Sequence, residues 1–146
     1  LGTDNLPGIV KSIRENVSDF DDIFVCEYGV DRKRGMNKLL KIVKPNISLI
    51  TEVGPQHLLT FKNINNITKE KIKLANVLQK QEIAVLNNDN RYLRREIKKL
   101  KCKVITYGIN NDSVIMAKNI EINNDGSSFD LYIKNKIKKI HLNTIL

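Results

Sequence analysis

Short apolar runs that alternate with helix-forming stretches are the feature that most constrains the fold of this chain. A continuous apolar run of four or five residues is typical of a strand buried on both faces. Four such runs occur before residue 109, at residues 23–26, 47–51, 83–86 and 104–107. Each run predicts one buried strand.

The stretches between these runs have apolar residues spaced three and four apart, which is the periodicity of a helix with one buried side. They lie at residues 7–16, 36–43, 67–78 and 91–100. The resulting alternation of strands and helices with short connections predicts an α/β fold, a parallel sheet covered on both faces by helices.

The pattern changes after Gly108. Short apolar segments follow at residues 114–117, 120–122, 129–133 and 137–142, and the sequence Asn123-Asn124-Asp125-Gly126 is typical of a hairpin turn. We therefore expect one domain, residues 1–146, in which a parallel α/β part (1–109) continues into a small antiparallel section (110–146).

Composition excludes several classes of protein. No apolar run approaches the roughly 20 residues that cross a bilayer, and no secretory signal is visible, so we expect a cytoplasmic protein. Cys26 and Cys102 match neither a disulfide framework nor a metal-binding CxxC pair. The net charge of +9 suggests nucleic acid, but the basic residues are scattered and aromatic residues make up only 5%. Charge alone therefore supports that interpretation poorly.

Polar residues follow three of the predicted strands. Glu27 ends the first, the second leads through Glu52 to His57, and the third ends in Asn87-Asn88-Asp89. Because ligands of open parallel sheets bind at the carboxyl ends of the strands, these residues are candidates for one common site.

Several of these segments occur in an order that resembles a known family. The chain is similar to the central, P-loop NTPase-like domain of Mur ligases, and most of all to the subgroup that joins D-alanyl-D-alanine to a UDP-linked muramoyl tripeptide. The similar segments are CEYGVDR (26–32), IVKPNI (42–47), TEVGPQHL (51–58), ITKEK (67–71) and AVLNND (84–89).

The resemblance implies an ATP-dependent ligase of peptidoglycan (cell wall) precursors that forms an acyl phosphate and then an amide. It implies Glu27 and His57 as Mg²⁺ ligands and Lys71 as the family's carbamylated lysine. Asn87 and Asp89 would lie on the nucleotide side. ATP, Mg²⁺ and a UDP-sugar-peptide are the implied cofactors and substrates of the full-length enzyme.

The chain also departs from the family pattern. Lys33-Arg34-Gly35, Lys73 and Asn90-Arg91 replace residues that are common in relatives, and no GxxxxGK[ST] loop occurs in these 146 residues. We therefore expect a domain truncated at both ends, inactive alone, with sheet edges left open to another chain or to self-association.

Each candidate residue also has a plain structural interpretation, such as a solvated carboxylate for Glu27 or a turn residue for Asn87. Two other functions stay open. The chain could be a non-catalytic binding or assembly module in which Glu27, His57 and Lys71 are relics, or a basic nucleic-acid-binding domain.

Overall fold

The computed structural model describes residues 5–144, and six strands in this range form one sheet. The strands lie side by side in the order in which they follow along the chain. They are β1 (Ile47–Ile50), β2 (Ile83–Asn87), β3 (Lys103–Gly108), β4 (Ile115–Asn123), β5 (Gly126–Ile133) and β6 (Lys136–Leu142).

The sheet is parallel from β1 to β4 and antiparallel from β4 to β6. This confirms the predicted parallel sheet with an antiparallel section. The predicted hairpin turn joins β4 to β5, with Asn123 paired to Gly126. Gly126 has φ +136°, and a Cβ there would meet the Leu142 carbonyl, so glycine is required.

The helices are α1 (Leu6–Asn16), α2 (Gly35–Ile42), α3 (Leu58–Phe61), α4 (Ile64–Lys71), α5 (Lys73–Asn76) and α6 (Arg91–Arg94). The single helix predicted at 67–78 is two helices that meet at Ile72, and it begins earlier because the Asn63 side chain caps the Asn66 amide. The helix predicted at 91–100 ends at Arg94 and is followed by a 3₁₀ turn, Ile97–Lys99. No helix within residues 5–144 is both long and apolar enough to cross a bilayer.

The helices cover one face of the parallel strands, so the prediction of helices on both faces is wrong for residues 5–144. Side chains alternate between buried and more exposed along β1 and β2, with Ile50, Ala84 and Leu86 in the core and Leu49 exposed. The strand order explains this arrangement. Right-handed crossovers that step in one direction along a sheet place their helices on the same face.

The strand predicted at residues 23–26 is also wrong. These residues pair with no strand in the described part of the chain, and the side chains of Ile23 and Val25 are exposed. The segment is held instead by Cys26 and Tyr28, which pack against the core, and by the Tyr28 hydroxyl, which donates to the Val43 carbonyl at 2.9 Å. An apolar run forms a strand only where a neighbouring strand can pair with it.

Candidate functional site

The chain that leaves β1 is bound by side chains from the neighbouring strands at the carboxyl edge of the sheet. Asn87 Nδ2 donates to the Thr51 carbonyl at 3.0 Å, and the Tyr107 hydroxyl lies 3.5 Å from the same oxygen. Asn90 Nδ2 donates to the Val53 carbonyl at 2.9 Å. We call Thr51, Val53, Asn87, Asn90 and Tyr107 the carboxyl-edge cluster; it fixes the position of the backbone from which Glu52 projects.

Lys71, the last residue of α4, reaches this edge. Its Nζ donates to the Glu52 carbonyl at 3.1 Å, and no ion pair to the lysine forms among residues 5–144. Burial lowers the Lys71 pKa, and the nearby charge of Glu52 opposes that shift only in part. The amine is therefore more easily deprotonated than that of an ordinary surface lysine.

Asp89 organises the connection between β3 and β4. Its carboxylate accepts hydrogen bonds from the backbone amides of Ile109 (2.6 Å), Asn110 (3.1 Å) and Asn111 (2.7 Å), and from the Asn111 side chain (2.8 Å). Burial of Asp89 works to raise the carboxyl pKa, but these donors outweigh it and hold the pKa below its usual value. Gly108 allows the close approach, because a Cβ there would lie 3.1 Å from Asp89 Oδ1.

Asn87 and Asn90 are also largely engaged by the protein itself. Asn87 Oδ1 accepts from the Asp89 amide at 2.9 Å, so one Nδ2 hydrogen and one Oδ1 lone pair of Asn87 are left for a ligand. Asn90 Oδ1 caps α6 by accepting from the amides of Tyr92 and Leu93. The sequence signal for Asn90 was available, since an asparagine directly before a helix is a common N-cap. The Tyr107 contact had no comparable local signal.

His57 lies at the start of α3, further along the chain that leaves β1. It adopts the left-handed conformation (φ 51°) at the start of α3, its imidazole is exposed, and its carbonyl accepts from the Thr60 hydroxyl at 2.9 Å. The same hydroxyl contacts the Asp31 carbonyl. The Arg32 side chain, with a smaller contribution from His57, keeps the Asp31 carboxyl pKa below its usual value. His57 is thus close to Asp31, a residue that the sequence did not single out.

Glu27 lies in the unpaired segment that leads to Asp31. Its side chain is exposed and makes no hydrogen bond or ion pair with any residue in the range 5–144. No group of three or more His, Cys, Asp and Glu side chains in that range could hold a metal ion. A cation at Glu27 and His57 would therefore need further oxygen ligands from water, from phosphate or from a modified lysine, as Mg²⁺ commonly has.

Hydrogen bonds connect three of the predicted site residues to one part of the sheet edge. Lys71, Asn87 and Asp89 lie around the carboxyl-edge cluster, where Lys71 and Asn87 bind successive carbonyls, those of Glu52 and Thr51. The Thr60 hydroxyl contacts the backbone carbonyls of both His57 and Asp31. Within residues 5–144 no hydrogen bond or ion pair joins Glu27 or His57 to Lys71, so the three-residue metal site remains a prediction.

Comparison with known proteins identifies the family. The model of the Mur ligase middle domain matches residues 1–145. The chain belongs to the Mur ligase family. A UDP-N-acetylmuramoyl-tripeptide--D-alanyl-D-alanine ligase of Buchnera aphidicola is 33% identical over 112 residues, covering 76% of this chain and 24% of that protein. A UDP-N-acetylmuramate--L-alanine ligase of Clostridium novyi is 33% identical over 128 residues, covering 88% of this chain and 26% of that protein.

Solved structures confirm the Mur-type fold. MurF from Acinetobacter baumannii superposes with a TM-score of 0.88 at 19% identity, over 99% of this chain and 32% of that one. MurF ligase from Thermotoga maritima in complex with ADP gives a TM-score of 0.82 at 20% identity, over 92% of this chain and 31% of that one. The Mur-type chain described here therefore spans about a quarter of the length of its curated relatives.

Proposed function

We propose that this chain is part of the central domain of an ATP-dependent carboxylate–amine ligase of peptidoglycan precursor synthesis, located in the cytoplasm. In this reaction ATP converts a substrate carboxylate to an acyl phosphate, and an incoming amine then displaces phosphate to form the amide. Membership of the Mur ligase family supports the proposal. Within the chain itself, the environment of Lys71 supports it best.

Lys71 has the properties required of a lysine that takes up carbon dioxide. Carbamylation needs the neutral amine, which attacks CO₂ to give a carbamate and releases one proton. A half-buried amine whose pKa is lowered, and whose hydrogen-bond acceptor is an uncharged carbonyl, supplies more of that neutral form at pH 7. The product is an anion, which suits the cation-binding role that the family assigns to this lysine.

Glu27 and His57 would hold Mg²⁺ together with phosphate oxygens of the nucleotide. When bound, the ion supplies neutralisation of the phosphate charge. Asn87, with one Nδ2 hydrogen and one Oδ1 lone pair remaining, would face the nucleotide, and Asp89 would act on that side by holding residues 109–111 in place. Without a phosphate-binding loop in its own sequence, the 146-residue chain is expected to be inactive alone and to bind nucleotide weakly.

The test of the Lys71 assignment is carbamate formation under ¹³C-labelled CO₂, measured by NMR. The wild-type chain should show a carbamate resonance that disappears in Lys71→Arg. Lys69→Arg is the matched control, because Lys69 is an exposed lysine on the same helix. A resonance that persists in Lys71→Arg at wild-type intensity contradicts the assignment.

One observation favours a second function, a non-catalytic binding or assembly module. The described residues hold no ready-made cluster of three metal-binding side chains. Titration with Mg²⁺ and ATP separates the two functions. A ligase domain should show a metal-dependent signal that Glu27→Ala and His57→Ala each weaken, whereas a module should show no signal or one that both substitutions leave unchanged.

A further inference from the structure

Basic residues occur throughout this chain, but most of its net charge comes from residues 91–103. This segment holds seven Lys and Arg side chains and one acidic residue, Glu96, so it supplies six of the nine net positive charges. All seven basic residues are exposed, whereas Leu93 is buried and Ile97 and Leu100 pack against the core. The outward side of this segment is therefore a surface of one sign of charge, which attracts anions.

The protein itself neutralises little of this charge. Within residues 5–144 the segment forms one ion pair, between Lys99 and Glu96 at 2.7 Å. The other six basic side chains of the segment form no ion pair in that range. They are Arg91, Arg94, Arg95, Lys98, Lys101 and Lys103.

The end of this segment lines a cleft at the amino ends of β2 and β3. The cleft is open to solvent and has a volume of about 480 Å³. Small-molecule sites have volumes of about 300–1,000 Å³. Three of the five lining residues are lysines; the five are Lys80, Gln81, Lys101, Cys102 and Lys103. We call this group the lysine cleft.

Hydrogen bonds fix the two backbone segments that form the lysine cleft. The Glu82 amide donates to the Gln79 carbonyl at 3.0 Å and closes a turn over residues 79–82, and the Lys103 amide donates to the Glu82 carbonyl at 3.0 Å. The Glu82 carboxylate accepts from the Gln79 amide and from Asn46 Nδ2 at 2.9 Å. The acidic group nearest to the cleft in sequence is thus engaged by uncharged donors and pairs with none of the cleft lysines within residues 5–144.

The lysine cleft is separate from the candidate functional site. β2 runs from Ile83, beside the cleft, to Asn87 at the carboxyl edge, which is four residue steps of about 3.3 Å, or about 13 Å. A small ligand in the cleft would therefore not reach the carboxyl-edge cluster. The inference about the cleft does not depend on the ligase reaction proposed above, since it uses none of the residues of that site.

We propose that the lysine cleft binds the diphosphate group of a small molecule. Lysine ammonium groups bind phosphate as point charges. Lys101 and Lys103 are two residues apart, so their Cα atoms lie at most about 7 Å from each other and their side chains can contact adjacent phosphates of one ligand. Lys80 supplies a third cation from the facing turn. The remaining basic residues of 91–103 raise the local concentration of the anion.

The lining of the cleft also indicates which part of the ligand is recognised. Its five residues include no aromatic side chain, so a nucleoside base would have no ring on which to stack. Recognition therefore depends on the phosphates. Inorganic pyrophosphate and a nucleoside diphosphate both supply this chemistry, and titration with each distinguishes the two sources.

Amide NMR titration with sodium pyrophosphate, at low ionic strength and without divalent metal, tests the site. The largest shift changes should occur at the amides of the cleft, and orthophosphate should bind about fivefold more weakly. Lys101→Gln with Lys103→Gln should weaken pyrophosphate binding about tenfold, since one exposed ion contact contributes up to about fivefold. Lys136→Gln with Lys138→Gln removes the same charge from β6 and should change the Kd by no more than about twofold. Equal weakening by both pairs, or orthophosphate binding as tight as that of pyrophosphate, overturns the proposal.

Titration with UDP and with uridine identifies the source of the diphosphate. UDP that binds within about twofold of pyrophosphate, at the same amides, shows that the cleft accepts a nucleoside diphosphate. UDP that binds much more weakly than pyrophosphate restricts the ligand to the free anion. Uridine, which lacks phosphate, should not bind; uridine that binds as tightly as UDP overturns recognition through the phosphates.

Alkylation of Cys102 tests the charge of the cleft without any substitution. Iodoacetate is an anion and iodoacetamide is neutral, so the ratio of their rates reports the local potential and does not depend on the fraction of thiolate. This ratio should be at least about threefold higher at Cys102 than at Cys26, and the difference should decrease as salt is added. Pyrophosphate should slow the alkylation of Cys102 and not that of Cys26. Equal ratios at the two thiols, or equal protection of both by pyrophosphate, overturns the proposal.

Discussion

Replacing Asp89 by asparagine tests whether one carboxylate holds the β3–β4 connection. Four N–H donors converge on its two oxygens. Asparagine keeps the shape but has one acceptor oxygen, so its amide group would face backbone amides that also donate. At least two hydrogen bonds to a charged acceptor are lost, worth about 1.5–3 kcal/mol each before solvent screening. Because Asp89 is partly exposed, we expect a total loss of about 2 kcal/mol.

Chemical denaturation followed by circular dichroism measures this loss, and the thermal midpoint should fall by about 5 °C for a chain of this size. Asp112→Asn is the matched control, because Asp112 is exposed and only its backbone carbonyl is used, as an acceptor for Asn88. Amide exchange should increase at residues 109–111 in Asp89→Asn and not in the control. If the two variants are equally stable, the hydrogen bonds to Asp89 do not stabilise the β3–β4 connection.

The pKa of Asp89 also predicts how the stability difference changes with pH. The folded-state pKa of Asp89 lies below its usual value, so its contribution is present above the unfolded pKa of about 3.9 and disappears as pH falls through the folded pKa. The difference in unfolding free energy between wild type and Asp89→Asn should therefore be constant above pH 5 and shrink below about pH 4. A difference in unfolding free energy that increases as the pH falls would contradict the prediction.

Three further predictions concern the buried Glu70, the crowded Gly108 and the phenol of Tyr28. Glu70→Ala should cost about 2–3 kcal/mol in denaturation, because the buried carboxylate accepts from the Met36 amide at the start of α2; a cost below 1 kcal/mol would contradict this role. Gly108→Ala should cost about 1–3 kcal/mol and Gly54→Ala little, since only the first meets three atoms at 3.1 Å; equal costs would exclude crowding. Burial raises the Tyr28 pKa to about 12, so the free energy of unfolding should decrease as the pH rises from about 10 to 12. Tyr28→Phe should not show this decrease in denaturation at high pH.

The order of the elements was predictable because each signal is local. The runs at 47–51, 83–86 and 104–107 became β1, β2 and β3, and Asn123 to Gly126 became the predicted turn. The run at 23–26 has the same composition but no strand. Composition reports that a segment suits a sheet, whereas pairing depends on a neighbouring strand, which composition does not report.

The site was predictable as a set of residues and not as a network of contacts. Strand ends located Asn87 and Asp89 at the carboxyl edge, since strand direction fixes that much. The sequence could not show that Asp89 is engaged by amides 20 to 22 residues later, because those donors are backbone groups that every residue carries. For the same reason the residue types could not predict that Lys71 donates a hydrogen bond to the Glu52 carbonyl.

Glu52 opposes the chemistry proposed for Lys71. Its negative charge raises the Lys71 pKa and so opposes the effect of burial. Removing that charge should therefore lower the Lys71 pKa further and increase the fraction of neutral amine.

The carbamate fraction under labelled CO₂ should accordingly be higher in Glu52→Gln than in wild type, because the substitution removes the charge and keeps the backbone carbonyl that binds Lys71. An equal carbamate fraction in the two proteins would show that the Glu52 charge does not act on the Lys71 amine.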